Sequence, residues 1–449
     1  MYIDLKEYKN FSKSDFTGDH LRLHIPRAIK KLSVENGRAK IILDALVCRK
    51  KPVVISALME GREFRYTGER TEMTMLLEFV SPAVIRLRLS NGRTVPEKHQ
   101  PMLVREPDPT ECFEYAEDDD SYRFTTEKAV VTLYKNPFRM EIRDRNGKLL
   151  YRQYNDDRHN VTNDRRRGHK EGEDGGAGYE MEKLSFPGFE CFPFGYVENE
   201  DTGRSCYAES VETRYGECFY GFGERFSRIN KNGQEILNWV VNPVGVSNAK
   251  AYKSVPFFHS SRGYGVYCNT PRRIRFSMCD YFYKAYSCEV EDDLLDMFVF
   301  ATGDYRKTLR EYTGLTGRSQ MPPKWAFGVW MSRNCYMSRD EVEKVAEKLR
   351  KEKLPCDVMH IDWAYCRTCD YDFEFDRERF PDVSAMSKKL LDMGIKLSVW
   401  QLPYIKETSA VYREAAEKGF LARHEDGTAA DQEAHEGVID FSNPDAAAW

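Results

Sequence analysis

The residues with the clearest potential for chemistry lie at the ends of short apolar segments in the last third of the chain. Asp362 follows such a segment, with His360 and Trp363 beside it, and Trp400 ends another segment. Trp330, near the end of a third segment, is a residue of the same kind. A carboxylate accepts hydrogen bonds from sugar hydroxyls while an aromatic ring covers the apolar face of the sugar. The pattern therefore indicates a carbohydrate pocket, although an Asp in this position can also simply cap a turn and any one aromatic residue is more often core.

A repeat of strands and helices predicts how these residues are positioned. The apolar segments are interpreted as parallel strands, separated by helices with capping signals at their starts and a glycine at one end. The strands are Trp325–Met331, Asp357–Asp362 and Lys396–Trp400; the helices are Ser338–Lys353, about Val383–Met393 before Gly394, and one that starts at Asn443. In a parallel β/α barrel the functional residues lie at the carboxyl ends of the strands.

The repeat is shorter than a closed barrel requires. An eight-unit barrel takes about 250 residues, and only half of that length follows Trp325. We expect three full parallel strands, and therefore an incomplete (β/α)8 TIM-type barrel over residues 316–449. Retaining glycoside hydrolysis usually takes two carboxyl groups. Asp440, in a possible fourth segment, precedes a helix cap, so we expect Asp362 to have no catalytic partner in this chain.

The first 315 residues have a different pattern. Apolar and polar residues alternate in short segments, with an Asn146-Gly147 turn between two of them, which is typical of antiparallel strands. Examples are Met73–Val80, Ala83–Ser90, Lys128–Lys135 and Arg139–Asp144. This part is predicted to be a β-sandwich over residues 1–315, followed by a short helix at Tyr305–Thr313 and by the boundary sequence Met321-Pro322-Pro323.

Composition excludes several classes of partner. The net charge is -4 with 31% charged residues, which argues against nucleic acid or an anionic membrane as a partner. The basic run Asp164–Lys170 is followed by acidic residues and is interpreted as a solvated loop. The sequence contains no run of about 18 apolar residues, so no membrane-spanning helix is predicted. The polar N-terminal segment does not resemble a signal peptide. The 12 cysteines are mostly isolated, and Cys366–Cys369 lacks a second ligand pair, so we expect a cytoplasmic protein without metal or other cofactor.

Several blocks, in order along the chain, carry a resemblance to a known family. From the middle of the predicted sandwich onward the chain resembles glycoside hydrolase family 31, the retaining α-glucosidases and α-xylosidases. The blocks are Lys135–Leu150, Tyr220–Phe226, Asn232–Gln234, Ala251–Phe258, Arg262–Asn269, Thr316–Trp330, His360–Asp362, Phe380–Asp382, Val399–Ile405 and Asp440–Trp449. The resemblance implies that the sandwich is mutarotase-like.

The same resemblance implies roles for the strand-end residues. Asp362 and Trp400 are expected to contact the non-reducing sugar in the subsite where cleavage occurs. The nucleophile of the family lies in a Lys-Thr-Asp-Phe-Gly-Glu type motif shortly after the block that matches Asp440–Trp449, and the acid/base aspartate follows later. Neither motif occurs in this sequence. The chain is thus expected to correspond to the first part of a longer enzyme and to be inactive by itself.

Sugar specificity remains open between glucoside and xyloside. The stretch from Glu224 to Phe258 resembles the α-xylosidase branch, in which a sandwich loop offers an aspartate to the site; Asn242 takes that position here. Cys335 replaces an aromatic residue of that branch, and Trp363-Ala364 replaces its usual pair. The expected partner is a small α-glycoside or oligosaccharide, with a homo-oligomer possible for the whole enzyme. The alternative is a non-catalytic carbohydrate-binding or scaffold protein that uses the sandwich.

Overall fold

A computed structural model describes most of the chain. The described ranges are 21–49, 69–92, 94–96, 102–154, 194–241, 251–280, 282–366, 372–402, 404–424, 426–430 and 436–449. Two compact units divide between Arg318 and Ser319. Asn242 lies outside the described ranges.

The first unit is built from antiparallel strands in two sheets. One sheet has 13 strands in the order β12-β14-β15-β18-β4-β3-β2-β1-β10-β11-β17-β16-β13, and the other has five in the order β5 to β9. The strands are β1 (Leu21–Glu35), β2 (Arg38–Arg49), β3 (Glu69–Ser81), β4 (Val84–Ser90), β5 (Phe113–Glu117), β6 (Ser121–Thr126), β7 (Ala129–Lys135), β8 (Phe138–Asp144), β9 (Leu149–Arg152), β10 (Phe194–Asn199), β11 (Ser205–Glu212), β12 (Phe219–Glu224), β13 (Gln234–Asn238), β14 (Lys253–Ser260), β15 (Tyr264–Cys268), β16 (Ile274–Met278), β17 (Ala285–Val290) and β18 (Leu295–Phe300). Helix α1 (Tyr305–Thr316) follows them and is three residues longer than predicted.

The period-two alternation explains why these strands form a sandwich. Every second residue of β2, from Ala39 to Ala45, is completely buried, as are alternate residues of β7 and β8. These side chains belong to one core cluster that draws on both sheets, so each strand buries one face. Gly147 has a φ of +82° in the turn between β8 and β9, as the Asn-Gly sequence predicts. The predicted β-sandwich is confirmed.

One buried carboxyl group in this core has no charged partner. Glu209 on β11 is 1% exposed. Its Oε1 accepts hydrogen bonds from the Tyr151 hydroxyl and from Gln153 Nε2, the latter at 3.1 Å, whereas Oε2 has no partner. Burial raises the pKa of Glu209 to about 7, although both hydrogen bonds act to lower it. Burial likewise raises the pKa of Tyr151, so its hydroxyl stays protonated.

The raised pKa predicts that the sandwich loses stability as the pH rises towards neutrality. The folded state holds the Glu209 proton more tightly than the unfolded state, whose pKa is near 4.5. The stability that the folded state gains from the Glu209 proton is therefore fully present below about pH 4.5 and is lost as the pH rises through about 7. We expect chemical denaturation to show a loss of about 2–3 kcal/mol over this interval. Glu209→Gln should remove that part of the slope, and Glu114→Gln, at an exposed position, should keep it. Equal slopes for Glu209→Gln and the unmodified protein would contradict the assignment.

The second unit contains a small parallel sheet with helices. Its strands β19, β20 and β21 are hydrogen-bonded in that order and are parallel. The elements are β19 (Trp330–Arg333), α2 (Arg339–Lys351), β20 (Val358–Ile361), α3 (Val383–Asp392), β21 (Lys396–Val399), β22 (Tyr404–Lys406), α4 (Ala410–Glu417), β23 (Glu436–Val438) and α5 (Pro444–Ala448). The prediction of three parallel strands, as part of an incomplete barrel, is confirmed.

The helix starts follow their capping signals. Ser338 is the N-cap of α2, and its hydroxyl accepts a hydrogen bond from the Glu341 N–H. The Glu341 carboxylate reaches back to the Met337 N–H at 2.8 Å, one residue earlier than a capping box requires. Asn443 caps α5, which has Pro444 in its first turn as predicted.

One strand boundary predicted for this unit was wrong. The first strand begins at Trp330, not Trp325, because the segment after the two prolines forms a 3-10 helix at Lys324–Phe327. Gly328 then lies so close to Asp357 that an added Cβ would be 2.1 Å from its carboxylate oxygen. The possible fourth segment is not a parallel barrel strand, since β23 pairs antiparallel with β22.

Candidate active site

The three parallel strands present two different faces. Met331, Met359 and Leu397, which are register partners, belong to the apolar cluster that α2 and α3 share with the sheet. Side chains alternate along a strand, so the next register row, Ser332, His360 and Ser398, lies on the opposite face. Asp362 comes two residues after His360, and Trp400 comes two residues after Ser398. The alternation therefore places both on that face, at the carboxyl ends of their strands.

Asp362 combines a local structural role with a free acceptor. It is the N-cap of the 3-10 turn Trp363–Tyr365, and its Oδ1 accepts a hydrogen bond of 2.8 Å from the Trp363 N–H. The expected turn cap is therefore present. Oδ2 has no hydrogen-bond partner in the described part of the chain, and the side chain is half-buried. One carboxylate oxygen fixes the turn while the other can accept a hydrogen bond from a ligand hydroxyl.

His360 lies on β20, two residues before Asp362. Its Nδ1 is 3.1 Å from the Ser398 hydroxyl, and the ring is half-buried. This contact orients the ring across β20 and β21 and leaves Nε2 as the nitrogen that can contact a ligand. Ser398 is a site residue that the sequence analysis missed. Its position two residues before Trp400 in an alternating strand was the available signal.

Trp400 is placed by the neighbouring strand. Its main-chain N–H donates a hydrogen bond of 2.9 Å to the Ile361 carbonyl, so the last backbone bond of the β20–β21 pair lies directly beside Asp362. The indole is half-buried. The structure therefore brings Asp362, His360 and Trp400 to one edge of the sheet, as predicted.

Trp363 and Cys335 lie in the loops that follow β20 and β19. Trp363 is half-buried and its carbonyl accepts a hydrogen bond of 3.0 Å from the Cys366 thiol. Arg379 donates to the Cys366 carbonyl at 2.6 Å, which fixes the end of that turn. Cys335 is a half-buried free thiol between β19 and α2.

Trp330 does not lie where the sequence analysis placed it. It is the first residue of β19, in register with Val358 and Lys396, the first residues of the neighbouring strands. Its indole N–H donates to the Ala326 carbonyl at 3.1 Å, and 46% of the residue is exposed. The late start of the strand therefore puts Trp330 at the amino end of the sheet, opposite to Asp362 and Trp400.

The acidic loop after Asp362 is organised by a hydrogen-bonded ion pair. Asp376 accepts from the Arg379 guanidinium at 3.0 Å and from two main-chain N–H groups. Across the described ranges, no group of three or more His, Cys, Asp or Glu residues could hold a metal ion. Within the same ranges, no helix has the length and apolar character needed to cross a membrane.

Comparison with known proteins identifies the family that this fold and site define. The family 31 glycosyl hydrolase N-terminal galactose mutarotase-like domain matches residues 74–276, and the family 31 TIM-barrel domain matches residues 319–449. The chain belongs to glycoside hydrolase family 31.

Curated relatives include both α-xylosidases and α-glucosidases. The chain is 33% identical over 263 residues to α-xylosidase XylQ of Lactiplantibacillus pentosus, which covers 57% of this chain and 34% of the relative. It is 27% identical over 361 residues to α-glucosidase 2 of Bacillus thermoamyloliquefaciens, covering 77% of this chain and 40% of the relative. The chain thus spans well under half the length of these relatives.

Solved structures show the same fold. A family 31 dextranase of Flavobacterium johnsoniae in complex with isomaltotriose superposes with a TM-score of 0.71 at 22% identity, over 95% of this chain and 45% of that one. A family 31 α-xylosidase from a soil metagenome in complex with xylose superposes with a TM-score of 0.67 at 21% identity, over 93% of this chain and 54% of that one. At these identities the likeness concerns the fold alone.

Proposed function

We propose that the protein that carries this chain is a retaining exo-α-glycosidase that removes terminal α-glucosyl or α-xylosyl residues from small α-glycosides or oligosaccharides. The observation that carries the proposal is the grouping of Asp362, His360 and Trp400 on one face, at the carboxyl ends of neighbouring parallel strands. The α-xylosidase and α-glucosidase relatives support the substrate class.

The free acceptor of Asp362 defines its role in this proposal. Oδ2 accepts hydrogen bonds from a hydroxyl of the terminal sugar, and the Trp400 ring covers the apolar face of the same sugar. His360, with Nδ1 held by Ser398, offers Nε2 to a further hydroxyl. Trp363 and Cys335 are proposed to border the pocket, and Asn242 stays a predicted sugar contact. These residues bind and orient the sugar, and the acid/base and nucleophile come from elsewhere.

Residues 1–449 alone are therefore proposed to be inactive. Of the three parallel strands, only β20 is followed directly by a carboxylate residue, Asp362, since Asn334 follows β19 and Trp400 follows β21. A retaining mechanism needs a nucleophile and an acid/base group about 5–5.5 Å apart. One carboxylate at one strand end cannot perform both roles in the same step.

An assay of two proteins tests this proposal. The full-length protein and the isolated 1–449 polypeptide are given aryl α-glucoside and aryl α-xyloside, and the anomeric configuration of the released sugar is followed by NMR. We expect the full-length protein to release the α-anomer first from at least one substrate, and the isolated polypeptide to release none. Initial release of the β-anomer would overturn the retaining mechanism. Binding without turnover by the full-length protein would favour a carbohydrate-binding or scaffold protein.

We also infer a reducing, cytoplasmic environment. The nine cysteines whose side chains the structure describes are free thiols, and six of them are buried. Extracellular proteins of this size commonly pair their cysteines, whereas cytosolic thiols stay reduced. The self-association of the full-length enzyme is a separate proposal, to be checked by its mass in solution.

A further inference from the structure

The loops that carry Asp362 and Trp400 are joined by one side-chain hydrogen bond. The Tyr365 hydroxyl donates to Gln401 Oε1 at 2.6 Å. Tyr365 ends the 3-10 turn that Asp362 caps, and Gln401 directly follows Trp400. The bond therefore connects the segment after β20 to the segment after β21, beyond the point where the strands stop pairing.

Tyr365 is the fixed partner of this pair. It is 3% exposed and belongs to the core cluster under α2 and α3. Its ring packs on Phe375 with the ring centroids 4.7 Å apart, and its carbonyl accepts a hydrogen bond of 2.9 Å from the Asp376 N–H. Burial raises the pKa of Tyr365 to about 12, so the hydroxyl is a donor at any neutral pH.

Gln401 is the exposed partner of this pair. Its own amide N–H donates at 3.1 Å to the carbonyl of the next residue, Leu402. On the other side of Gln401, the Trp400 N–H is bonded to the Ile361 carbonyl. Trp400 thus lies between two hydrogen bonds. Its own main-chain N–H is bonded to β20, and the side chain of the next residue, Gln401, is bonded to Tyr365.

We propose that Tyr365 is a positioning residue that, through Gln401, sets where the Trp400 ring lies relative to Asp362. The inference rests on the proposed function, because it gives both residues a common sugar. Neither residue needs to touch that sugar. Loss of the bond leaves the catalytic groups unchanged but lets the chain after β21 relax away from Asp362, which weakens stacking on the sugar in the ground state and transition state alike. Such uniform loss of binding raises KM and leaves kcat unchanged.

The test compares Tyr365→Phe with a matched control in the full-length enzyme. Loss of one hydrogen bond between uncharged groups is expected to raise KM for the aryl glycoside about two- to tenfold, with kcat within twofold. Tyr336→Phe is the control, since Tyr336 is completely buried in the same cluster and its hydroxyl has no partner. This control should leave KM unchanged.

Changes at Gln401 separate positioning from a merely structural effect. Gln401→Glu keeps an acceptor for the Tyr365 hydroxyl and should retain a KM close to that of the unmodified enzyme. Gln401→Leu should match Tyr365→Phe, and the double variant should be no worse than either single variant. Additive effects, or an unchanged KM in Tyr365→Phe, would overturn the inference while the enzyme remains active. Absence of turnover by the unmodified enzyme would instead overturn the proposed function, and this inference with it.

Discussion

Asp296→Ala is expected to destabilise the sandwich by about 3–5 kcal/mol, because it leaves a buried guanidinium without its main partner. Asp296 on β18 and Arg86 on β4 form two side-by-side hydrogen bonds of 2.6 and 2.7 Å, and their side chains are 3% and 2% exposed. The same carboxylate accepts a third hydrogen bond, from Asn269 at 2.7 Å. Burial alone would lower the pKa of Arg86, but the bonds to Asp296 and Glu106 raise it above its ordinary value.

The measurement is urea denaturation followed by far-UV circular dichroism. Asp44→Ala is the matched control, since the Asp44–Arg70 pair lies on the same sheet with side chains 34% and 63% exposed. Exposed pairs contribute about 0–1 kcal/mol. If both variants lost the same small amount, Glu106 would be a sufficient partner for Arg86, and the proposed importance of the buried pair would be wrong.

Features that depend on a few adjacent residues could be predicted from the sequence. The alternation in β3, β4, β7 and β8 predicted the sandwich because alternate residues of each strand enter a common core. The helix starts at Ser338 and Asn443 were predicted because a cap is made within a few residues of its own position. The alignment of Asp362 with Trp400 followed from the parallel strand pattern.

Features set by distant partners could not be predicted. Gly328, just before the late start of β19, lies against Asp357, and the antiparallel pairing of β22 with β23 joins segments about 30 residues apart. The Tyr365–Gln401 bond spans 36 positions and involves residue types that usually serve other purposes. Glu209 gave no signal either, because its pKa depends on burial against side chains from other strands.

Asp362→Ala in the full-length enzyme is expected to lower kcat/KM by about ten- to several-hundred-fold. The substitution removes the only free carboxylate oxygen at the ends of the three described parallel strands, and with it the hydrogen bonds proposed to hold a sugar hydroxyl in a desolvated site. Leaving a buried polar group without its partner costs about 1–3 kcal/mol, and more when the lost partner is charged. At about 1.4 kcal/mol per tenfold change in rate, that cost gives the stated range.

The turn that Asp362 caps must be separated from the sugar contact, because the alanine substitution removes both. Asp362→Asn keeps an oxygen for the Trp363 N–H, but it removes the charge and replaces the free acceptor oxygen by an NH2 donor. It should therefore retain the thermal midpoint of the unmodified enzyme while its kcat/KM falls. Asp426→Ala is the control for the loss of a cap, since Asp426 is an exposed turn residue that accepts from the Thr428 N–H at 2.9 Å.

Full activity in both Asp362 variants would reduce Asp362 to a turn residue. Reduced activity in Asp362→Ala alone, together with a lowered thermal midpoint, would assign the effect to the lost cap. A fall in both Asp362 variants, with Asp426→Ala unchanged, is the outcome that the free Oδ2 and its position beside Trp400 predict.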